Sequence, residues 1–131
     1  MRKVRVLLAD DNNAVIKRVR AILEADFEIV GTVCNGLEAV AETQRLDPDV
    51  LVIDISMPVL DGLESTRRLR TTNRRTKVVF LTVHRDRDFV TAAFSAGASA
   101  YVTKSDVTTD LMLAIHDALE GRTYVSQSAQ T

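Results

Sequence analysis

Residues 50–62 read Val-Leu-Val-Ile-Asp-Ile-Ser-Met-Pro-Val-Leu-Asp-Gly. Val50 to Ile53 is a continuous aliphatic run, as expected of a strand covered on both faces. A helical stretch, Leu37 to Leu46, precedes it and is stopped by Asp47-Pro48, because the residue before a proline is pushed out of the α region. The run ends on Asp54, and a second helical pattern extends from Gly62 to Arg70. The stretch is therefore a strand, a loop and a helix, with a carboxylate at the carboxyl end of the strand.

The same unit recurs on either side. Val4 to Ala9, Glu28 to Val33, Lys77 to Leu81 and Ala100 to Thr103 are further strand candidates. Val15, Val19, Ile22 and Leu23 follow the first at helical spacing. Phe89, Val90, Ala93 and Phe94 form a short helix ending near Gly97, and Leu111, Ile115, Ala118 and Leu119 form a last one before Gly121. Strict alternation of five strands and five helices implies a parallel sheet with helices on both faces. Strands one, three and four are almost entirely aliphatic and belong in the centre. Strands two and five carry Glu28, Thr32, Ser99 and Thr103 and belong at the edges. The order 2-1-3-4-5 satisfies this, giving an α/β, doubly wound (βα)5 three-layer sandwich of flavodoxin-like topology.

The 131 residues make one domain, 46% hydrophobic and 27% charged, with a net charge of −1. That balance gives no general pull toward nucleic acid or an anionic membrane. Arg67, Arg68, Arg70, Arg74 and Arg75 read as the solvated face and end of one helix. The lone Cys34 forms no internal disulfide and suits a reducing compartment. No signal-peptide h-region and no run of membrane-spanning length is present, so a soluble, cytoplasmic protein is expected. Residues 1–121 form the expected domain. Residues 122–131 are polar and small, and read as a frayed end or the start of a linker.

In an open parallel sheet, ligands bind beyond the carboxyl ends of the strands, where the strand order reverses. Here that point lies between strands one and three, at Asp10, Asp11 and Asp54. Neighbouring strands lie about 5 Å apart, so three carboxylates converge and repel. An all-oxygen site of this kind suits Mg²⁺ (or Mn²⁺). Thr82 ends strand four and Lys104 follows strand five, both aimed at the same crevice. Three acids, a hydroxyl and an ammonium match phosphoryl transfer to a carboxylate. Singly, each has a plainer reading: a helix cap, a turn residue, a solvated lysine. Their joint placement at the tips of four strands favours the functional one.

Four segments carry a family resemblance: Leu7-Leu8-Ala9-Asp10-Asp11, Val52 to Gly62 with its Asp-x-x-Met-Pro-x-x-Asp-Gly pattern, Phe80-Leu81-Thr82, and Ala98 to Lys104. Over roughly residues 3 to 120 the chain resembles a receiver domain of a two-component response regulator. The resemblance implies that Asp54 accepts a phosphoryl group from a sensor histidine kinase or a phosphotransfer protein. It implies that Asp11, Asp54 and the Ser56 backbone carbonyl ligate the metal, with Asp10 acting through water. Lys104 would pair with the phosphoryl group and Thr82 would swing toward it. Tyr101, of opposite strand parity to Lys104, faces the fourth helix and would move inward as Thr82 moves.

Ser105 stands where many receivers have proline. With Ala114-Ile115 and Gly121-Arg122-Thr123-Tyr124-Val125-Ser126, it resembles the NarL/FixJ subclass that carries a LuxR-type helix-turn-helix output domain. The expected role is thus a signalling switch with a transcriptional output. DNA would be reached only through a domain outside this chain, and a homodimer is possible through the first and fifth helices. The readout surface is otherwise the fourth helix, fifth strand and fifth helix. Val83 should narrow access to the phosphoryl group, and Ser56 and His84 flank the site as candidates for tuning water attack. The domain should phosphorylate and dephosphorylate itself without turning over a substrate. A stand-alone receiver acting through protein contacts is the first alternative. An aspartyl-nucleophile phosphatase would need a second acid where Ser56 stands. A flavodoxin-like carrier would need a phosphate-cradling loop in place of Asp10-Asp11-Asn12-Asn13.

Overall fold

The computed structural model describes residues 2–130. Strands β1 (Arg5–Ala9), β2 (Glu28–Val33), β3 (Val50–Ile53), β4 (Lys77–Thr82) and β5 (Ala100–Thr103) alternate with helices α1 (Asn13–Leu23), α2 (Gly36–Leu46), α3 (Gly62–Thr72), α4 (Arg87–Ala96) and α5 (Val107–Leu119). All pairings are parallel, and the order is β2-β1-β3-β4-β5 with one further strand, β6 (Tyr124–Val125), beside β5. Among the described residues no helix is long and apolar enough to cross a membrane.

Period-two alternation sends successive strand residues to opposite faces. Val6, Leu8, Val50, Val52, Val79 and Leu81 pack with Val19 and Leu23 of α1 and with Leu111, Ala114, Ile115 and Ala118 of α5. Leu7, Ala9, Leu51, Ile53, Val78 and Phe80 pack on the other side with Ala39, Leu69 and Ala93, from α2, α3 and α4. Each central strand is thus buried on both faces, as its unbroken aliphatic run requires.

Side-chain caps fix where the helices begin. Asn12 accepts from the N–H groups of Ala14 and Val15, Asn35 from Glu38, and Asp61 from Glu64. These bonds satisfy amides that have no partner inside the helix. Asn12 is the cap of α1, which frees Asp10 and Asp11 from the capping role that would have been their plainer reading.

Three expectations change. The segment after Gly121 does not fray: residues 124–125 form β6, Ser126 and Ala129 are buried, and a single 3-10 turn covers Gln127–Ala129. For the same reason β5 is not an edge strand; all four of its residues are buried. The basic cluster is not wholly solvated. Arg70 is half-buried and donates to the carbonyls of Gly97, Asn73 and Thr76. Arg75 lies beyond α3 and pairs with Asp47 and Asp49 at 3.2 and 3.0 Å.

The loop from β3 to α3 contains a γ-turn, with Leu60 N–H donating to the Pro58 carbonyl at 2.8 Å. Its central residue, Val59, has φ +70°, a region a β-branched side chain strains to enter. Val59→Gly should raise the unfolding free energy by about 1 kcal/mol, because relief of strain exceeds the entropic cost of glycine. Urea unfolding checks this; a lower midpoint for the variant contradicts it.

Candidate functional site

The register of the sheet builds the site. Ala9 pairs with Ile53 across β1 and β3, and Asp54 N–H donates to the Ala9 carbonyl at 3.1 Å. Asp10 and Asp54 therefore leave adjacent strand ends side by side. Asp11 follows, and carboxylate oxygens of Asp10, Asp11 and Asp54 all lie within 4.8 Å of one another. Asp10 and Asp54 are each only 5% exposed, while Asp11 faces solvent. Gly62 is dictated by the same packing: a Cβ there would overlap the Asp54 carbonyl. The crevice beside the two buried acids is floored by Val15, Ile16, Val19 and Leu81.

Lys104 closes the arrangement. Its Nζ lies 2.9 Å from Asp10 Oδ2 and 3.1 Å from Asp54 Oδ2. Burial pushes the Asp10 carboxyl up from its usual range; the Lys104 pairing and the Asn12 N–H pull it back, and the Asp54 charge pushes it further up. Burial pulls the Lys104 ammonium down, but its two carboxylate partners outweigh this and leave it raised. Three carboxylates against one ammonium leave two uncompensated negative charges, the charge of one divalent cation. Asp54 Oδ1 is buried and has no hydrogen-bond donor. An orphaned anionic oxygen beside two more carboxylates suits a hard, oxygen-seeking ion such as Mg²⁺. The residues present thus fit such an ion.

Thr82 ends β4, fully buried, and its Oγ1 accepts from the His84 N–H at 3.4 Å. His84 Nε2 is 2.8 Å from Ser56 Oγ, and its ring stacks on Phe89 at 4.1 Å. The loops after β3 and β4 are thereby joined. Sequence reasoning placed Ser56 and His84 beside the site but not in contact; residues 28 positions apart in different loops carry no local signal of a bond. Val83 is 65% exposed at the rim. Tyr101 faces α4 as its parity requires, packed with Phe80 and Ala93, and it is fully buried. Its hydroxyl donates to the His84 carbonyl at 2.8 Å. Burial, with the nearby Asp54 charge, pushes that hydroxyl up to about 12, so it remains a donor at neutral pH. The inward position expected to follow phosphorylation is already taken.

The fold and this crevice define a class, the doubly wound receiver of phosphorelay signalling, and the comparisons agree. Residues 6–116 match the response regulator receiver domain. Response regulator GacA of Pseudomonas viridiflava is 35% identical over 126 residues, covering 94% of this chain and 58% of that protein. Chemotaxis protein CheY of Halobacterium salinarum is 36% identical over 115 residues, covering 88% of this chain and 96% of that one. The crystal structure of a LuxR-family two-component response regulator from Aurantimonas sp. SI85-9A1 superposes with a TM-score of 0.92 at 32% identity, covering 97% of this chain and 92% of that one. The chain spans only 57% and 58% of the length of two Pseudomonas relatives. It belongs to the response regulator receiver domain family, whose members serve as signalling switches in two-component systems and here include transcriptional regulators.

Removing the ammonium should expose the charge problem it solves. Lys104→Met should lower the metal-free unfolding free energy at neutral pH by about 3 kcal/mol, since it leaves two buried carboxylates unpaired. A lysine raised above its usual 10.5 contributes fully at neutral pH and loses that contribution only as pH rises through its folded value. Asp10, raised above 3.8, costs stability as it ionises. The deficit of the variant should therefore shrink in mildly acidic buffer. Urea titrations at two pH values decide the point; a deficit independent of pH would sink the electrostatic account.

Proposed function

We propose that this domain is a phosphorylation-dependent switch in the cytoplasm. Asp54 accepts a phosphoryl group from a sensor histidine kinase or phosphotransfer protein, and the signal passes to a transcriptional output carried outside this chain. The observation that carries the reading is the asymmetry of Asp54. Lys104 holds Oδ2, while Oδ1 is buried and without a donor, beside Asp10 and Asp11.

A carboxylate oxygen of Asp54 is the nucleophile. It forms the new P–O bond as the bond from phosphorus to the donor breaks, and the electron pair of that bond leaves with the donor. Asp11, Asp54 and the Ser56 carbonyl would hold Mg²⁺, with Asp10 acting through water; when bound, the ion neutralises phosphoryl oxygens. Lys104 is placed to take charge that develops on the transferred group. Thr82 supplies a hydroxyl from the adjacent strand end. The phosphoryl group, with a charge of about −1.5 to −2, replaces the single negative charge of the Asp54 carboxylate and competes with Asp10 for the Lys104 ammonium. Ser56 and His84, bonded to each other between the loops after β3 and β4, limit the approach of water to the acyl phosphate.

Incubated with acetyl phosphate and Mg²⁺, the protein should gain a single phosphoryl group by intact mass. Asp54→Asn should gain none, and a chelator should abolish labelling of the wild type. Undiminished labelling of the variant rejects the assignment. Mg²⁺ at about 100 times its Kd should stabilise the wild type by about 2.7 kcal/mol. Asp11→Asn should lose most of that gain in a thermal melt, and an equal gain in both proteins would remove Asp11 from the metal site.

A further inference from the structure

Residues 67–77, from the middle of α3 to the first residue of β4, hold six of the 17 Lys and Arg side chains and none of the 18 Asp and Glu. Half of the six are neutralised: Arg67 and Arg68 pair with Glu64, and Arg75 pairs with Asp47 and Asp49. Among the described residues no carboxylate pairs with Arg70, Arg74 or Lys77. These three line one open cleft of about 420 Å³ together with Ser95 and Ser99, and no acidic side chain lines it. The cleft lies at the amino ends of β4 and β5, because Lys77 opens β4 and Ser99 directly precedes β5. Asp54 and Lys104 follow the carboxyl ends of their strands, so the cleft is a separate place at the opposite end of the sheet.

Arg70 is a fixed part of the cleft wall. Its stem lies over Gly97, where a Cβ would come within 2.7 Å of Arg70 Cγ. Its Nε and Nη2 donate to the Gly97 carbonyl at 3.2 and 2.9 Å, and its Nη1 donates to the carbonyls of Asn73 and Thr76 at 3.2 and 2.8 Å. A guanidinium has a further N–H on Nη2, which none of these carbonyls takes. Carbonyls satisfy the hydrogen bonds but do not cancel a full charge. The carboxyl end of α4 supplies about half a negative charge against three cations. Burial and the nearby Arg74 charge pull the Arg70 guanidinium down from its usual range, so the cations repel one another across the cleft. Ser95 and Ser99 add two hydroxyl donors to the same wall.

We propose that this cleft binds a small phosphate-bearing anion of the diphosphate class. A single phosphate monoester carries about −1.5 to −2, and a diphosphate carries more, which balances three cations better than one carboxylate does. Guanidinium forks and hydroxyls match the several acceptor oxygens of a phosphate. No aromatic side chain lines the cleft, so the ligand is held by its phosphates and not by stacking of a base. The cleft is concave and of the size that takes a small molecule, which favours such a ligand over the convex backbone of a duplex. The bound anion bridges Arg74 beyond α3 and Lys77 at the start of β4 to Arg70, which is seated on Gly97 at the end of α4.

Amide NMR on the whole chain, titrated with inorganic pyrophosphate in the presence of a chelator, tests this. The chelator keeps Mg²⁺ from carrying the probe to Asp54. Signals of residues 74–77 and 95–99 should shift and saturate with a Kd on the order of 1 mM or tighter. Arg74→Ala should weaken binding about tenfold, as loss of a charge-assisted contact does, and Lys77→Ala should weaken it severalfold. Arg20→Ala removes an exposed arginine on α1 and should leave the Kd unchanged. No saturation by about 10 mM overturns the proposal. Shifts confined to residues 10–12 and 54–56 also overturn it, as does equal weakening by Arg20→Ala, which would mean general charge attraction. A DNA duplex without terminal phosphates is titrated in parallel. If it moves the same signals at lower concentration than pyrophosphate, and Arg74→Ala removes the effect, the cleft belongs to a nucleic-acid backbone and the small-ligand proposal is wrong.

Discussion

The position of one ammonium group organises this molecule. Lys104 Nζ sits between Asp10 Oδ2 and Asp54 Oδ2, and both carboxylates are almost completely withdrawn from water. Two buried anions at adjacent strand ends would otherwise repel strongly in a medium that screens them poorly. The rest of the fold exists in service of that geometry. Parallel pairing of β1 with β3 brings the acids together, β5 delivers the lysine, and covered central strands hold the three strand tips rigidly. The pairing is also incomplete, because charge remains uncompensated and Asp54 Oδ1 has no donor. A site half-neutralised in this way is poised to take a cation and then an anion.

Much of this was legible in the sequence because the signals are local or periodic. The aliphatic run Val50 to Ile53 defines a central strand by itself, and Asp54 marks its carboxyl end. Alternation of five such units then brings Asp10 and Asp11 to the same edge without any knowledge of contacts. The order of the segment after Gly121 was missed for the opposite reason. Arg122 to Gln130 is short and mostly polar, and its order comes from strand pairing with β5, core packing of Ala129 and the hydroxyls of Ser126 and Ser128, all with partners far away in sequence. Arg70 misled in the same manner: it looks like a solvated helix residue, but the carbonyls of Asn73 and Thr76 just beyond its helix and of the distant Gly97 take its guanidinium.

Rigid and compliant parts are distributed unevenly around the pocket. The sheet and Tyr101 form the fixed frame, fully buried and bonded at both ends. The loops after β3 and β4 are joined to each other by the Ser56 to His84 bond, and the first carries a strained valine. Local opening is least costly where few apolar contacts must be broken, which here means the loops.

The central claim is that Asp54 carries the phosphoryl group as an acyl phosphate. Borohydride reduces an acyl phosphate to an alcohol, so an aspartate that carries one becomes homoserine. Phosphorylated protein should be reduced, digested and sequenced by mass spectrometry. The account predicts homoserine at position 54 and nowhere else. Homoserine at Asp10 or Asp11, or phosphate found instead on a serine, threonine or histidine, would contradict it.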